Sequence, residues 1–185
     1  MREEHDLYLC QKYKKIFKDR YAPMQATCMM WGFDHSDGWF HIIDRLCLQI
    51  QNHIDWSRKT RATNLRFNRS LSRALRGDVS ALERYFSQRG PVTLQAKKLA
   101  IDCLKSAEYR KIVEAVPQVV ATQVKEKYGT LRFYYNGGDD YISGLVDMAV
   151  SVSSIMCEEC GDLGRVRDGG WIRTLCDEHA KDRKR

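Results

Sequence analysis

The sequence predicts an α+β fold: several helices, a small antiparallel sheet, and a C-terminal zinc module of treble-clef-like outline. Three observations predict it. Apolar residues recur at helical spacing over several stretches, strict alternation is confined to residues 119–135, and Cys157, Cys160, Cys176 and His179 stand as two spaced pairs. Together they divide the chain into a core drawn from residues 1–56 and 118–156, a basic helical insert over 57–117, and a zinc-binding module over 157–185.

Each element has its own signal. LYLCQKYKKIFKDRY reads as a helix with Leu9, Tyr13, Ile16 and Phe17 on one face, stopping before Pro23, and TCMMWGF reads as a buried strand. In HSDGWFHIIDRLCLQIQNHIDW, Ser36 or Asp37 caps a helix whose apolar stripe is Trp39, Ile42, Ile43, Leu46, Cys47, Ile50 and Ile54. Asp37, His41 and Asp44 share another face, which is read as solvated and polar in preference to a metal or acid/base cluster. RATNLRFNRSLSRALRGD is expected as a separate helix ended by Gly77, followed by a short one in VSALERYFSQRG. A longer helix is expected in TLQAKKLAIDCLKSAEYRKIVEAV, with Leu99, Cys103, Leu104 and Ile112 in its face and Pro117 as its stop.

The period then changes to two. QVVATQVKEKYGTLRFYYNGG predicts a hairpin turning near Tyr128 and Gly129, with Val120, Thr122 and Val124 on one side and Leu131, Phe133 and Tyr135 in the return run. Asp139 or Asp140 then caps a helix carrying Ile142, Leu145, Val146, Ala149, Val152 and Met156, which leads into the first cysteine pair.

A content of 43% hydrophobic residues with only three prolines argues for a folded chain. No run approaches the roughly 18 apolar residues of a membrane span, and MREEHDLYLCQKYKKIF lacks the apolar block of a signal peptide, so a cytoplasmic protein without a membrane partner is expected. Seven cysteines in that setting favour thiols and metal ligands over disulfides. Cys10, Cys28, Cys47 and Cys103 lie among apolar neighbours and are expected to be small core residues.

The other three cysteines belong with His179. Cys157-x-x-Cys160 followed by Gly161 is a turn that wraps two corners of a tetrahedral ion, and Cys176-x-x-His179 at the start of a helix supplies the other two. Between them LGRVR, DGG and WIRTL predict a small hairpin. Four protein ligands leave no position for water, so the zinc is expected to be structural and the chain to be non-enzymatic at this site. Nucleases of the HNH type use a similar scaffold but place a catalytic histidine on the hairpin, and none occurs between Gly161 and Leu175.

Charge is concentrated elsewhere. Arg58, Lys59, Arg61, Arg66, Arg69, Arg73 and Arg76 fall between Ser57 and Arg76 with no acidic residue, and the remaining 24 basic residues balance the 24 acidic ones. At 100° per residue, Arg66, Arg69, Arg73 and Arg76 fall within roughly 80° of arc, opposite Phe67, Leu71 and Leu75. Such a face meets phosphates or an acidic protein surface, or else pairs internally with carboxylates such as Glu83, Asp102, Asp139 or Asp140. Phe67 is the one aromatic residue interleaved with the arginines, which offers no obvious platform for stacking bases.

The segments DGWFHIIDRLC, VKEKYGTLRFYYNGGDDYISGLVDMA, CEECG and GGWIRTLCDEHA resemble a group of small zinc-knuckle proteins encoded by tailed phages and prophages. The resemblance spans Trp31 to about Asp55 and nearly all of Val119 to Ala180, leaving the basic insert individual to this chain. It implies a phage-type accessory role in the host cytoplasm, extending to inhibition of a host defence system such as CRISPR, and it carries over no catalytic residue.

The leading functional expectation is therefore a non-enzymatic zinc-containing protein that binds nucleic acid or a host nucleoprotein complex through residues 58–76. One alternative is a metal-dependent enzyme acting on nucleic acid, with Asp139 and Asp140 holding the metal. Another is a structural subunit of a phage assembly that buries the tyrosines of RFYYNGG.

Overall fold

The computed structural model describes residues 1–181 other than 24, 26, 89 and 169. The glycine at 169 in the predicted DGG turn and the tail residues 182–185, of which 183–185 are basic, lie outside them. In chain order the elements are α1 (Glu3–Lys12), β1 (Phe33–Asp34), α2 (Phe40–Leu75), α3 (Ser80–Phe86), α4 (Leu94–Ser106), β2 (Val120–Lys127), β3 (Thr130–Asn136), α5 (Asp140–Ser153), β4 (Arg165–Arg167), β5 (Arg173–Leu175) and α6 (Asp177–Lys181). The architecture is thus helical with two small sheets. No described helix is long and apolar enough to cross a membrane. The chain divides into two compact units, one made of Met1–Ile54 with the chain from Val116 onward, the other of Asp55–Ala115.

In the first unit the sheet runs β1-β2-β3. β2 and β3 form the predicted antiparallel hairpin, while β1 joins β2 in parallel with Phe33 opposite Val124, so the sheet is mixed. Tyr128 (φ 54) and Gly129 (φ 77) are both left-handed, the backbone of the two-residue turn whose twist matches paired strands. An irregularity between Ala121 and Gln123 shifts the alternation of β2. Val119, Ala121 and Val124 consequently face the core, replacing the Val120, Thr122 and Val124 expected from strict period two.

TCMMWGF is not a strand. The Thr27 hydroxyl accepts from the Met29 N–H and starts a 3-10 turn over Cys28–Trp31, and Gly32 at φ 79 redirects the chain so that only Phe33 and Asp34 reach the sheet. Met29 is buried as a result, but Cys28 is exposed, contrary to its expected core position, and Trp31 is exposed with it. α1 likewise ends earlier than expected, at Lys12. The chain unwinds there because the carbonyl of Ile16 accepts from the Ala121 N–H at 2.8 Å, and the turns that follow still bury Tyr13, Ile16 and Phe17 beside Leu9.

α2 is one helix of 36 residues where two were expected, since no glycine or proline interrupts Phe40–Leu75. Its first part buries Ile43, Leu46, Cys47, Ile50 and Ile54 as the stripe predicted, with Trp39 fully buried just before it. Asp139 caps α5, its Oδ1 accepting from the Ile142 N–H at 3.1 Å. Asp37, His41 and Asp44 do not converge. Asp37 takes Arg2 and His5, His41 is exposed, and Asp44 is buried, receiving Lys12 at 2.6 Å and the Tyr13 hydroxyl at 2.8 Å. Burial opposes the charge on Asp44, but Lys12 and Tyr13 outweigh it and hold the carboxyl below its usual value.

In the second unit Phe67, Leu71 and Ala74 of α2 pack with Leu82 of α3 and Ala100 of α4. Leu75 and Leu99, expected on the inner faces, are 46% and 41% exposed, because the spacing 67, 71, 74 turns Ala74 inward and Ala100 does the same on α4. α4 ends at Ser106, where Ala107 turns left-handed. The chain beyond it is held by side chains in place of a helix ladder: Asn68 exchanges two hydrogen bonds with the backbone of Arg110, and Asn64 and Arg61 donate to the carbonyls of Lys111 and Val113.

Candidate metal centre and basic groove

α5 delivers the first cysteine pair onto the core. The Met156 carbonyl accepts from the indole N–H of buried Trp39 at 3.0 Å, and the chain then turns sharply. The Gly161 N–H donates back to the Cys157 carbonyl at 2.8 Å with Gly161 at φ 84, so Cys157 and Cys160 point to one side. β4 and β5 pair in antiparallel fashion, and the Thr174 carbonyl of β5 accepts from the Glu158 N–H at 2.9 Å. Cys176 follows β5 directly and His179 sits in α6.

The four donor atoms converge. Cys176 Sγ lies 3.1 Å from His179 Nδ1, Cys157 Sγ lies 3.6 Å from the same nitrogen, and Cys160 Sγ lies 3.9 Å from Cys176 Sγ. All four atoms fall within 4.8 Å of one another. A tetrahedral ion with bonds of about 2.0–2.3 Å separates its ligands by roughly 3.3–3.8 Å, so Cys157, Cys160, Cys176 and His179 fit such an ion and can hold a metal. The backbone N–H and ring of His179 hold the Cys176 thiol down to about 7, whereas desolvation within the cluster and hydrogen bonds with the other thiols push Cys160 up to about 12. Three crowded sulfurs do not ionise together without a cation among them.

The support beneath the cluster is where the sequence reading fell short. The Gly38 N–H donates to the Glu158 carbonyl at 2.7 Å, and a Cβ on Gly38 would meet the Cys157 carbonyl oxygen at 2.1 Å and the Gly161 nitrogen at 2.5 Å. Glu158 is buried, its carboxylate accepting from the Ser36 N–H at 3.1 Å and from Arg173 Nε at 2.8 Å. Arg173 also reaches Glu159 and the Ser36 hydroxyl. The SDGW stretch is thus the seat of the knuckle as well as the start of a helix. Its signal was a glycine at a position where helix initiation alone asks for none.

The predicted basic residues fare differently from one another. Lys59, Arg66, Arg69 and Arg73 of α2 line a groove of about 930 Å³, joined by Arg84 of α3 and by Arg110, neither of which the stripe revealed. Arg61 is tied to the Val113 carbonyl, and Arg58 and Arg76 are exposed outside the groove lining. Of the expected internal partners, Asp102 faces Lys105 and Asp139 faces His53 at 2.8 Å. Arg73 pairs instead with Asp78 at 2.6 Å, with Arg84 3.8 Å from the same oxygen. Among the described residues no carboxylate lines the groove. Phe67 is buried with the Arg110 guanidinium 4.0 Å from its ring centre, and the aromatic lining comes from Tyr85 and Phe86.

No family model, curated protein or solved structure matches this chain. Its function is therefore argued from the site alone.

Proposed function

We propose that this is a zinc-stabilised, non-enzymatic binding protein that engages nucleic acid, or the nucleic-acid-binding surface of a host nucleoprotein complex, through the basic groove. The carrying observation is a lining of one lysine and five arginines with no lining carboxylate among the described residues. Asp78 offsets Arg73 and, at 3.8 Å, Arg84; the repulsion among Lys59, Arg66, Arg69 and Arg110 is a cost that an anionic ligand relieves. Arginine suits phosphate because its planar fork donates two parallel hydrogen bonds.

Zinc is the metal that fits the cluster best. Three thiolates and one imidazole are a usual structural set for it, and four protein ligands leave no position for a reacting water. The order of knuckle, hairpin and short helix supports a treble-clef-like reading of the module. When bound, the ion supplies folding free energy to β4, β5 and α6, which are too short to bury a core of their own. The phage-type accessory role, with inhibition of a host defence system, is supported by the resemblance of the segments flanking the insert.

The test is a binding titration by fluorescence anisotropy across a salt series, comparing the natural protein with a variant carrying Gln at Arg66, Arg69, Arg73 and Arg76. Affinity that falls steeply with salt in the natural protein and is largely lost in the variant is the expected result. A folded variant with every interaction intact would sink the reading. Affinity capture from host lysate with and without nuclease then separates a nucleic-acid ligand from a nucleoprotein.

A further inference from the structure

The groove differs from an exposed basic helix in having two charged walls. One wall is α2, where Lys59, Arg66 and Arg73 recur every seven residues and so form a nearly straight row, spanning about 21 Å at 1.5 Å per residue. The other is Arg84 of α3 with Arg110 from the segment after α4. Tyr85 and Phe86, both half-buried, line the same groove, and the Tyr85 hydroxyl accepts from Arg110 at 3.0 Å.

This arrangement discriminates between forms of nucleic acid. A helix that reads a duplex must project into a major groove about 12 Å wide. Arg84 of α3 and Arg110 line the groove beside the arginine face of α2, and a helix flanked by a second set of cations does not enter a major groove alone. The volume, about 930 Å³, lies at the top of the range of ligand clefts, about 300–1,000 Å³, which suits a few linked nucleotides. Cations on two sides meet the phosphates of one strand from both directions, and aromatic rings between them present surfaces on which unpaired bases stack.

Deepening the proposed function on which it rests, we propose that the groove holds a single strand of nucleic acid, its phosphates bound by Lys59, Arg66, Arg69, Arg84 and Arg110 and its bases stacked on Tyr85 and Phe86. Thr63, Ser70 and Gln88 are the uncharged polar aliphatic side chains of the lining, a set too small to read base edges along a strand, so recognition is tolerant of sequence.

The experiment uses the full zinc-loaded chain and a labelled oligothymidylate of about 12 nucleotides, within the site sizes of single-strand binders. A mixed-sequence duplex of equal length and inorganic triphosphate are the comparison probes. The single strand is expected to bind at least tenfold more tightly than the duplex. Changing Arg84→Gln and Arg110→Gln together should weaken it at least tenfold and lower the magnitude of the salt slope by about 1.4, the value for two phosphate contacts on a single strand. Phe86→Leu should weaken binding several-fold without moving the slope, a separation that a merely structural role would not produce. Should Arg110→Gln unfold the unit through its contact with Phe67, Arg84→Gln alone carries the test, with half the change in slope. Duplex binding equal to or tighter than single-strand binding overturns this inference and leaves the basic-groove reading standing. Triphosphate that competes as well as the oligonucleotide at equal phosphate overturns it in favour of a small phosphate compound. Absence of salt-dependent binding to every probe overturns both readings.

Discussion

Gly38 and Cys157 are in backbone contact: a Cβ on Gly38 would stand 2.1 Å from the Cys157 carbonyl oxygen. The obstructing atoms are backbone, so no rotamer change relieves the clash. Gly38→Ala must therefore push the knuckle away from the start of α2. Overpacking of this kind costs about 1–3 kcal/mol, a Tm several degrees lower for a chain of this length. Thermal melts and metal competition against a chromophoric chelator check it; a variant with unchanged Tm and unchanged metal retention would show that the contact is slack.

The metal cluster predicts a sharp stoichiometry. Elemental analysis of purified protein should give one zinc per chain, and Cys176→Ser or His179→Ala should lower zinc affinity by about a hundredfold or more. Structural zinc contributes about 10–16 kcal/mol in small zinc-finger peptides, so losing one ligand should release β4, β5 and α6. Hydrogen exchange should show the loss at Glu158 and Thr174 while Ile43 to Ile50 of α2 stay protected. Uniform loss across both regions would mean that the ion supports the whole unit.

His35 predicts a pH dependence. Its Nδ1 faces the Ser36 carbonyl at 2.7 Å and so carries the hydrogen, while Nε2 is buried with no hydrogen-bond partner among the described residues. Burial holds the ring down to about 4, below the usual value near 6.5 for an unfolded chain. Between those values the unfolded state takes up a proton that the folded state refuses. Stability is therefore full above pH 6.5 and falls as the pH drops toward 4, by up to about 3 kcal/mol. Urea midpoints for the natural protein and His35→Phe isolate the effect, since acid loss of metal is common to both. Parallel pH profiles would exclude His35 as the source.

Tyr128 offers a stabilising change. It is exposed at φ 54, a left-handed conformation that costs a bulky side chain roughly 1–2 kcal/mol and that asparagine adopts more readily. Tyr128→Asn creates the Asn-Gly turn favoured in two-residue hairpins and should raise stability by about 0.5–1 kcal/mol in chemical denaturation. A neutral or destabilising result would mean that the tyrosine ring packs usefully across the turn.

How much was legible depended on whether the signal was local. The metal ligands, the hairpin turn and the cap of α5 are decided within a few residues of sequence, and Cys157, Cys160, Tyr128, Gly129 and Asp139 stand where spacing put them. Leu75 and Leu99 were misplaced because a helix stripe with few large apolar residues leaves its rotation to the partner helix. TCMMWGF was misread because Thr27 and Gly32 form a turn inside an apolar run. The second wall of the groove could not be seen at all. Arg84 and Arg110 lie on other segments, and it is the packing of α3 on α2, with Asn68 fastening the backbone at Arg110, that brings them into one groove lining with the stripe.

The Ser36, Glu158 and Arg173 network also bears on timing. Its hydrogen bonds join residues 122 and 137 positions apart in the chain. At a synthesis rate of about 5–20 residues per second, Ser36 waits roughly 7–27 seconds for Arg173 to be made. Until then the Ser36 N–H and hydroxyl are without these partners. A metal ion held by Cys157, Cys160, Cys176 and His179 would likewise wait for residue 179 to be made, which puts its binding late in the folding order.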